Sequence, residues 1–309
     1  MSVSSIITIC LYLILGGLFF SRSKWVQQCG LSATWISSLW VIKCMTGLSL
    51  CWLYLHYYPN NDYSTLNQDG WLEYEKLRHT PQRFFTDWLH SPYKEKYGGF
   101  FNSVGSYWND LRNTLLSKLI AFLNFVHRGN LYSNTLFFCG ISFVGHLSYY
   151  KLFTRLFPNK KWPVVIGCFL LPSLLFFSSG LHKDAVVFTC MGISLYCTFI
   201  LIFEKISLRH TSLFIISSIV LLLMRNYVCL VLLPICLFWY IAEKKQLHAA
   251  VVLGGLILAS IVVLLFADFY YPEKSPINIL VQKQADFLAL PPTTSALPVQ
   301  KMEPTLKSV

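Results

Sequence analysis

Charge is scarce in this sequence, and acid is the scarcer sign. Only 13% of the 309 residues are Asp, Glu, Lys or Arg, with 14 acidic against 25 basic residues. A soluble domain carries roughly a quarter charged residues, so a water-facing shell cannot be drawn around this chain. The apolar fraction of 55% and the mean hydropathy of +0.52 place it among polytopic membrane proteins. Several short signatures are also missing. There is no G-x-x-x-x-G-K-[ST], no G-x-G-x-x-G, no H-E-x-x-H and no G-x-S-x-G, which removes the sequence-marked phosphate-loop, dinucleotide, zincin and nucleophile-elbow sites. No internal repeat is found. The ten cysteines include no C-x-x-C pair and lie almost entirely inside apolar runs, so they read as small buried hydrophobes rather than a disulfide frame or a metal site.

What charge there is has a pattern. The net charge of +11 would point to nucleic acid in a soluble chain. Here the basic residues stand at the ends of apolar runs, where they orient helices and meet anionic lipid, so the partner implied is the bilayer and not nucleic acid. Tyr, Trp and Phe gather near the same ends, as in interfacial belts.

Apolar runs occur at residues 6–20, 35–57, 131–153, 162–177, 185–203, 211–242 and 251–267. The first has the length of a signal peptide but lacks a basic start and an A-x-A site, and reads as a helix. The run at 211–242 is too long for one span, and Arg225 and Asn226 fall near its middle. It is expected to be a hairpin or a broken helix, with Pro234 bending its second half. Counting it as two gives an all-α transmembrane bundle of about eight helices over residues 1–267, with an outer loop at 58–130 and a tail at 268–309. Arg22, Lys24, Arg155, Lys160, Lys161, Lys205, Arg209, Lys244 and Lys245 then share one side, cytoplasmic by the positive-inside rule, and both termini lie outside. In the outer loop, residues 111–126 place Leu115, Leu119, Phe122 and Val126 on one stripe, with Arg112 and Lys118 off it, which predicts an interfacial helix. In the tail, residues 277–290 are expected to form a short amphipathic helix. Lys43, inside the second run, is expected to snorkel to the cytoplasmic end, since a central lysine costs roughly 2.5–3.5 kcal/mol.

Chemistry concentrates at Ser178-Ser179-Gly180-Leu181-His182-Lys183-Asp184, a polar joint between two apolar runs that should lie at a bilayer surface and face water or a cavity. Asp62, Asp69, Glu73 and Glu75 follow the second run on the same side. A carboxylate there can act as a base on a hydroxyl or hold a divalent metal. Asp69 and the two glutamates read equally well as solvated turn residues. Lys183 and Arg225 are the only basic residues in the short outer turns, and they suit phosphate. Acid and base at one membrane surface serve either transfer from a phosphate-linked lipid or transport of an anion.

The blocks VIKCMTGLSLCWLYLHYYPNNDYSTLNQDG, RGNLYSNTLFFCGISFVGHLSYYKLF, LPSLLFFSSGLHKDAVVF and LLLMRNYVCLVLLP resemble bacterial multi-pass proteins of polysaccharide loci that look like GT-C glycosyltransferases and O-antigen-type polymerases. The resemblance spans residues 35–245. It implies an inner-membrane enzyme that takes a sugar from a polyprenyl-phosphate carrier to a glycan acceptor. Asp62 would match the acidic residue of the first outer loop and serve as catalytic base, Ser179, Gly180, Lys183 and Asp184 would match a Ser-Gly-x-x-Lys-Asp block, and Arg225 a late basic position. Lys183, Arg225, Asp184 and, beside them, His182 and Asp69 are the candidates to hold substrate or phosphate, with a divalent metal left open. GT-C enzymes usually carry their acid, often as a pair, after the first helix. Here Asp62 is single and follows the second. Relatives commonly continue into further helices after a loop like the tail, which implies a shortened chain. A transporter or flippase of a lipid-linked glycan is the alternative, and a non-catalytic export subunit a third. Lys43 and the Arg225 break favour the transporter, while the missing repeat and the surface acids oppose it.

Overall fold

The computed structural model describes residues 3–58, 61–88, 107–204, 206–270 and residue 281. The helix expected at 277–290 lies outside these residues apart from Val281. Every regular element among them is helical. In chain order they are α1 (Val3–Arg22), α2 (Lys24–Gln27), α3 (Ala33–Tyr57), α4 (Asp62–His79), α5 (Pro81–Thr86), α6 (Tyr107–His127), α7 (Leu131–Leu156) and α8 (Lys161–Val165). A π-helical turn (Ile166–Leu170) follows, then α9 (Pro172–Ser178), α10 (Lys183–Phe203), α11 (Leu208–Met224), α12 (Asn226–Lys245) and α13 (Ala249–Tyr270). The chain divides into compact units at residues 1–262 and 263–309, so the break falls inside α13.

Five helices, α3, α7, α10, α12 and α13, are long and apolar enough to cross a membrane. The segment from α8 to α9 becomes a sixth if its two halves, bent by 41°, count as one span, while α11 and the apolar part of α1 are shorter. Each of the eight expected apolar segments is therefore helical, and five or six of them, among the described residues, are both long and apolar enough to span.

Both interruptions follow from local chemistry. Pro172 opens α9 and leaves Leu171 extended at φ −62° and ψ 121°, the conformation favoured before a proline. Lacking an N–H, Pro172 also frees the carbonyl of Cys168 four residues back. The break in the long run falls on Arg225 itself, at φ −145° and ψ 81°, and α12 continues through Pro234.

Packing brings sequence-distant residues together. Trp40, Phe143, Leu147 and Phe169 belong to one buried cluster that joins α1, α3, α7 and the π turn. Tyr63, Leu116, Leu181, Leu221 and Leu232 belong to another, around α10 to α12. Gly47 lets α3 approach α7 and the joint together, since a Cβ there would strike Cys139 Sγ and come within 2.9 Å of the Ser179 carbonyl. At one end the basic loops meet. Lys161 Nζ donates to the Gly30 carbonyl at 2.8 Å, Arg155 pairs with Glu204 at 2.5 Å, and Lys151 lies 4.3 Å from the Trp25 ring centre.

The expected loop contains a helical pair, α4 against α6, and two expectations change. Glu73 is not a solvated turn residue: it is 1% exposed, with Lys76 at 2.7 Å and Lys118 at 3.2 Å. Lys118 also donates to the Phe84 carbonyl. Burying that lysine sets the rotation of α6, so Leu116, Ile120 and Ala121 face α4 while Phe122, Phe125 and Val126 stay exposed. The expected stripe is split between the two faces. An outward apolar edge remains, as an interfacial helix requires.

Candidate functional site

Local capping places the first acid. Asn61 caps α4, accepting from Ser64 N at 2.9 Å and donating to the carbonyls of Tyr58 at 2.6 Å and Tyr54 at 3.1 Å. This ties the start of α4 to the end of α3 and sets Asp62, an exposed side chain, on the first helical turn. Tyr63 follows it inward and stacks on Tyr54 with centroids 4.4 Å apart.

His182 occupies the N-cap position of α10 and stands between two carboxylates, to which the charged ring can only donate. Its Nδ1 lies 3.0 Å from Asp184 Oδ2 and its Nε2 3.6 Å from Asp62 Oδ2. Arg225 reaches Asp184 Oδ1 with Nη2 at 2.7 Å and Nε at 3.2 Å, and donates to the Tyr227 hydroxyl with Nη1 at 2.8 Å. Asp184 is therefore shared by an imidazole and a guanidinium. Lys183 makes no hydrogen bond or ion pair among the described residues. Arg112, from α6, is within electrostatic reach of Arg225, Asp184 and Lys183, and its buried Nε has no hydrogen-bond partner among the described residues. Arg112, Lys183 and Arg225 face Asp62 and Asp184, and the balance favours an anion.

Burial pulls the His182 imidazole down, but its hydrogen bonds to Asp184 and Asp62 outweigh that and hold it above the ordinary histidine value. The His182 contact holds Asp62 below the usual carboxylate range. The raised histidine contributes stability below about pH 6.5 and loses it as pH rises through its folded value. The depressed aspartate contributes above about pH 3.9 and loses it in more acid solution. The contact is thus strongest between the two. We expect His182→Asn, a residue suited to the N-cap position, to lower the melting temperature most near pH 5. The gap to wild type should narrow steadily toward pH 9. A gap independent of pH would mean that His182 is neutral in the fold.

Of the anticipated residues, Asp62, His182, Asp184 and Arg225 come into contact, Lys183 lies beside them, and Asp69 does not join. Asp69 is exposed about 10 Å further along α4. Among the described residues no three His, Cys, Asp or Glu side chains group to hold a metal ion; the His182 ring separates the two carboxylates.

The joint is not a surface turn along its whole length. Ser178, Ser179 and Leu181 are buried. Ser178 Oγ lies 2.5 Å from Lys43 Nζ near the middle of α3, and only the His182 end reaches Asp62. Irregular backbone is tolerated at that depth because protein surrounds it. Lys43 does not snorkel. It is 1% exposed and meets His146 Nε2 at 3.1 Å as well as Ser178. Sequence reasoning missed Arg112, His146 and Tyr227. A lone histidine inside the 131–153 run was the available signal for His146. No family model matches this chain, and no curated protein or solved structure is significantly similar to it.

Proposed function

We propose that the protein is an integral membrane glycosyltransferase or polysaccharide polymerase. It would take its sugar from a polyprenyl-phosphate or polyprenyl-diphosphate carrier at the outer face of a bacterial inner membrane. The observation that carries this is the gathering of Arg112, Lys183 and Arg225 around Asp184, beside the exposed Asp62, where the apolar helices α3 and α10 meet α4. The cations would hold the carrier phosphate and stabilise it as the bond to the anomeric carbon breaks. Asp62, kept ionised by His182, would accept the proton of the acceptor hydroxyl as the new glycosidic bond forms. In this reading all eight apolar segments cross the bilayer, the loops that meet at Gly30, Lys161 and Glu204 are cytoplasmic, and the exposed edge of α6 lies on the outer leaflet.

A transporter or flippase of a lipid-linked glycan is the second reading. It is favoured by the bent segment and by Lys43 and His146 paired inside the bundle. Purified protein supplied with labelled lipid-linked sugars, with and without a divalent ion, separates the two. Enzyme activity releases carrier phosphate, whereas a transporter moves the intact carrier across a vesicle membrane. In the first case Asp62→Asn should cut product formation by about a hundred-fold or more while leaving the amount of inserted protein unchanged. Undiminished turnover in that variant would remove Asp62 from the chemistry.

A further inference from the structure

The interior holds a second constellation, at the buried end of the joint whose other end carries Asp184. Lys43 from α3, His146 from α7 and Ser178 from the end of α9 are each at most 2% exposed and lie within hydrogen-bond distance of one another, with Lys43 as the donor to both partners. Nζ to Oγ is 2.5 Å, Nζ to Nε2 is 3.1 Å and Nε2 to Oγ is 3.1 Å. The carbonyl that Pro172 leaves free, that of Cys168, receives His146 Nδ1. A carbonyl only accepts, so Nδ1 carries the ring proton and Nε2 presents its lone pair. Lys43 must then donate to Nε2, which fixes the direction of its amine. No carboxylate contacts Lys43 among the described residues, so an ammonium there would be a buried charge with neutral partners only, and the free amine escapes that desolvation.

A cavity of about 460 Å³ opens beside Ser178. Its walls include Tyr149, Phe153, Leu174, Phe188 and Met191, with Phe177 largely exposed at the rim, while Ser178 and Asp184 supply polar atoms. That volume and lining suit an alkyl chain entering from lipid.

We infer that Ser178 is a nucleophile for acyl transfer, with Lys43 as its general base and His146 as the residue that positions the amine. The substrate class is a long-chain ester or thioester lodged in the cavity. Ser178 Oγ adds to the acyl carbonyl carbon, and its proton passes to Lys43 Nζ. The tetrahedral adduct collapses, the bond from the acyl carbon to the leaving alcohol or thiol breaks, and that leaving group takes the proton back from Nζ. An alcohol or water then attacks the Ser178 ester by the same route, giving a new ester or the free acid and regenerating the serine. The hydroxyl hydrogen now directed at the Leu174 carbonyl needs only to rotate.

The test uses full-length protein in detergent with an alkyl fluorophosphonate. Mass spectrometry should find the adduct on the peptide containing Ser178, and Ser178→Ala should give none there. Lys43→Met should react about a hundred-fold or more slowly, and should melt somewhat lower than wild type because His146 Nε2 loses its donor. Lys43→Arg keeps a donor for both partners but cannot shed its proton, and should be equally slow. Absence of an adduct on Ser178 in wild type, or wild-type labelling rates in either Lys43 variant, overturns the assignment.

Discussion

Arg225→Lys should reduce turnover of a polyprenyl-phosphate-linked sugar by about a hundred-fold or more and destabilise the fold by about 2 kcal/mol, although the charge is kept. Arg225 uses one edge, Nε and Nη2, for Asp184 and the opposite Nη1 for the Tyr227 hydroxyl, while its backbone is the joint between α11 and α12. One ammonium cannot face both ways. Losing a charge-assisted hydrogen bond in this half-buried setting costs about 1.5–3 kcal/mol, and each 1.4 kcal/mol or so withdrawn from a transition state is tenfold in rate. Melting curves and single-turnover assays on the purified variant would measure the two parts separately. A stable variant with wild-type apparent affinity for the lipid donor would reduce Arg225 to an interfacial anchor.

Gly180→Ala is the second large effect expected. A methyl at this position would overlap the ring and hydroxyl of Tyr63, which is held from behind by its stack on Tyr54 and lies 5.9 Å, ring to ring, from His182. Relieving the clash means moving Tyr63 and with it the first turn of α4 that bears Asp62. Overpacking of this kind costs about 1–3 kcal/mol. Donor turnover should fall together with the melting temperature. The cause is open to a coupled test: Tyr63→Leu made in the Gly180→Ala protein should recover most of the lost stability, because the two positions share one volume. Strictly additive losses would show that the methyl acts elsewhere.

Much of this architecture could be read locally. The break at Arg225 was visible because an arginine and an asparagine interrupt an apolar run, and the joint because seven residues, all polar or small except Leu181, separate two such runs. The cysteines behave as their apolar surroundings implied, nine of the ten being buried and all of them free. What stayed hidden depends on distance along the chain. Lys43 was conspicuous, but its partners are 103 and 135 residues away, and snorkelling is the only local escape for a lysine in a helix. Arg112 read as the polar side of a surface helix because periodicity shows which face is apolar and not what another helix brings to the remaining face. Glu73 read as a loop residue because α4 is poor in apolar residues. Its burial depends on Lys118, which is 45 positions later. Asp69 is an outer-loop acid like Asp62, but helix geometry carries it about 10 Å past the contact with His182.

The separation between Asp184 and Arg225 also has a meaning in time. The two residues are 41 positions apart. At a synthesis rate of roughly 5–20 residues per second, Asp184 leaves the ribosome some 2–8 s before its partner. In that interval the start of α10 has His182 and the already made Asp62 and Arg112 nearby, but no guanidinium from the α11–α12 turn. The cluster around Asp184 is thus completed last, by the hairpin that arrives after it, and a nascent chain stalled before residue 225 would hold Asp184 with the His182 imidazole but without its guanidinium partner.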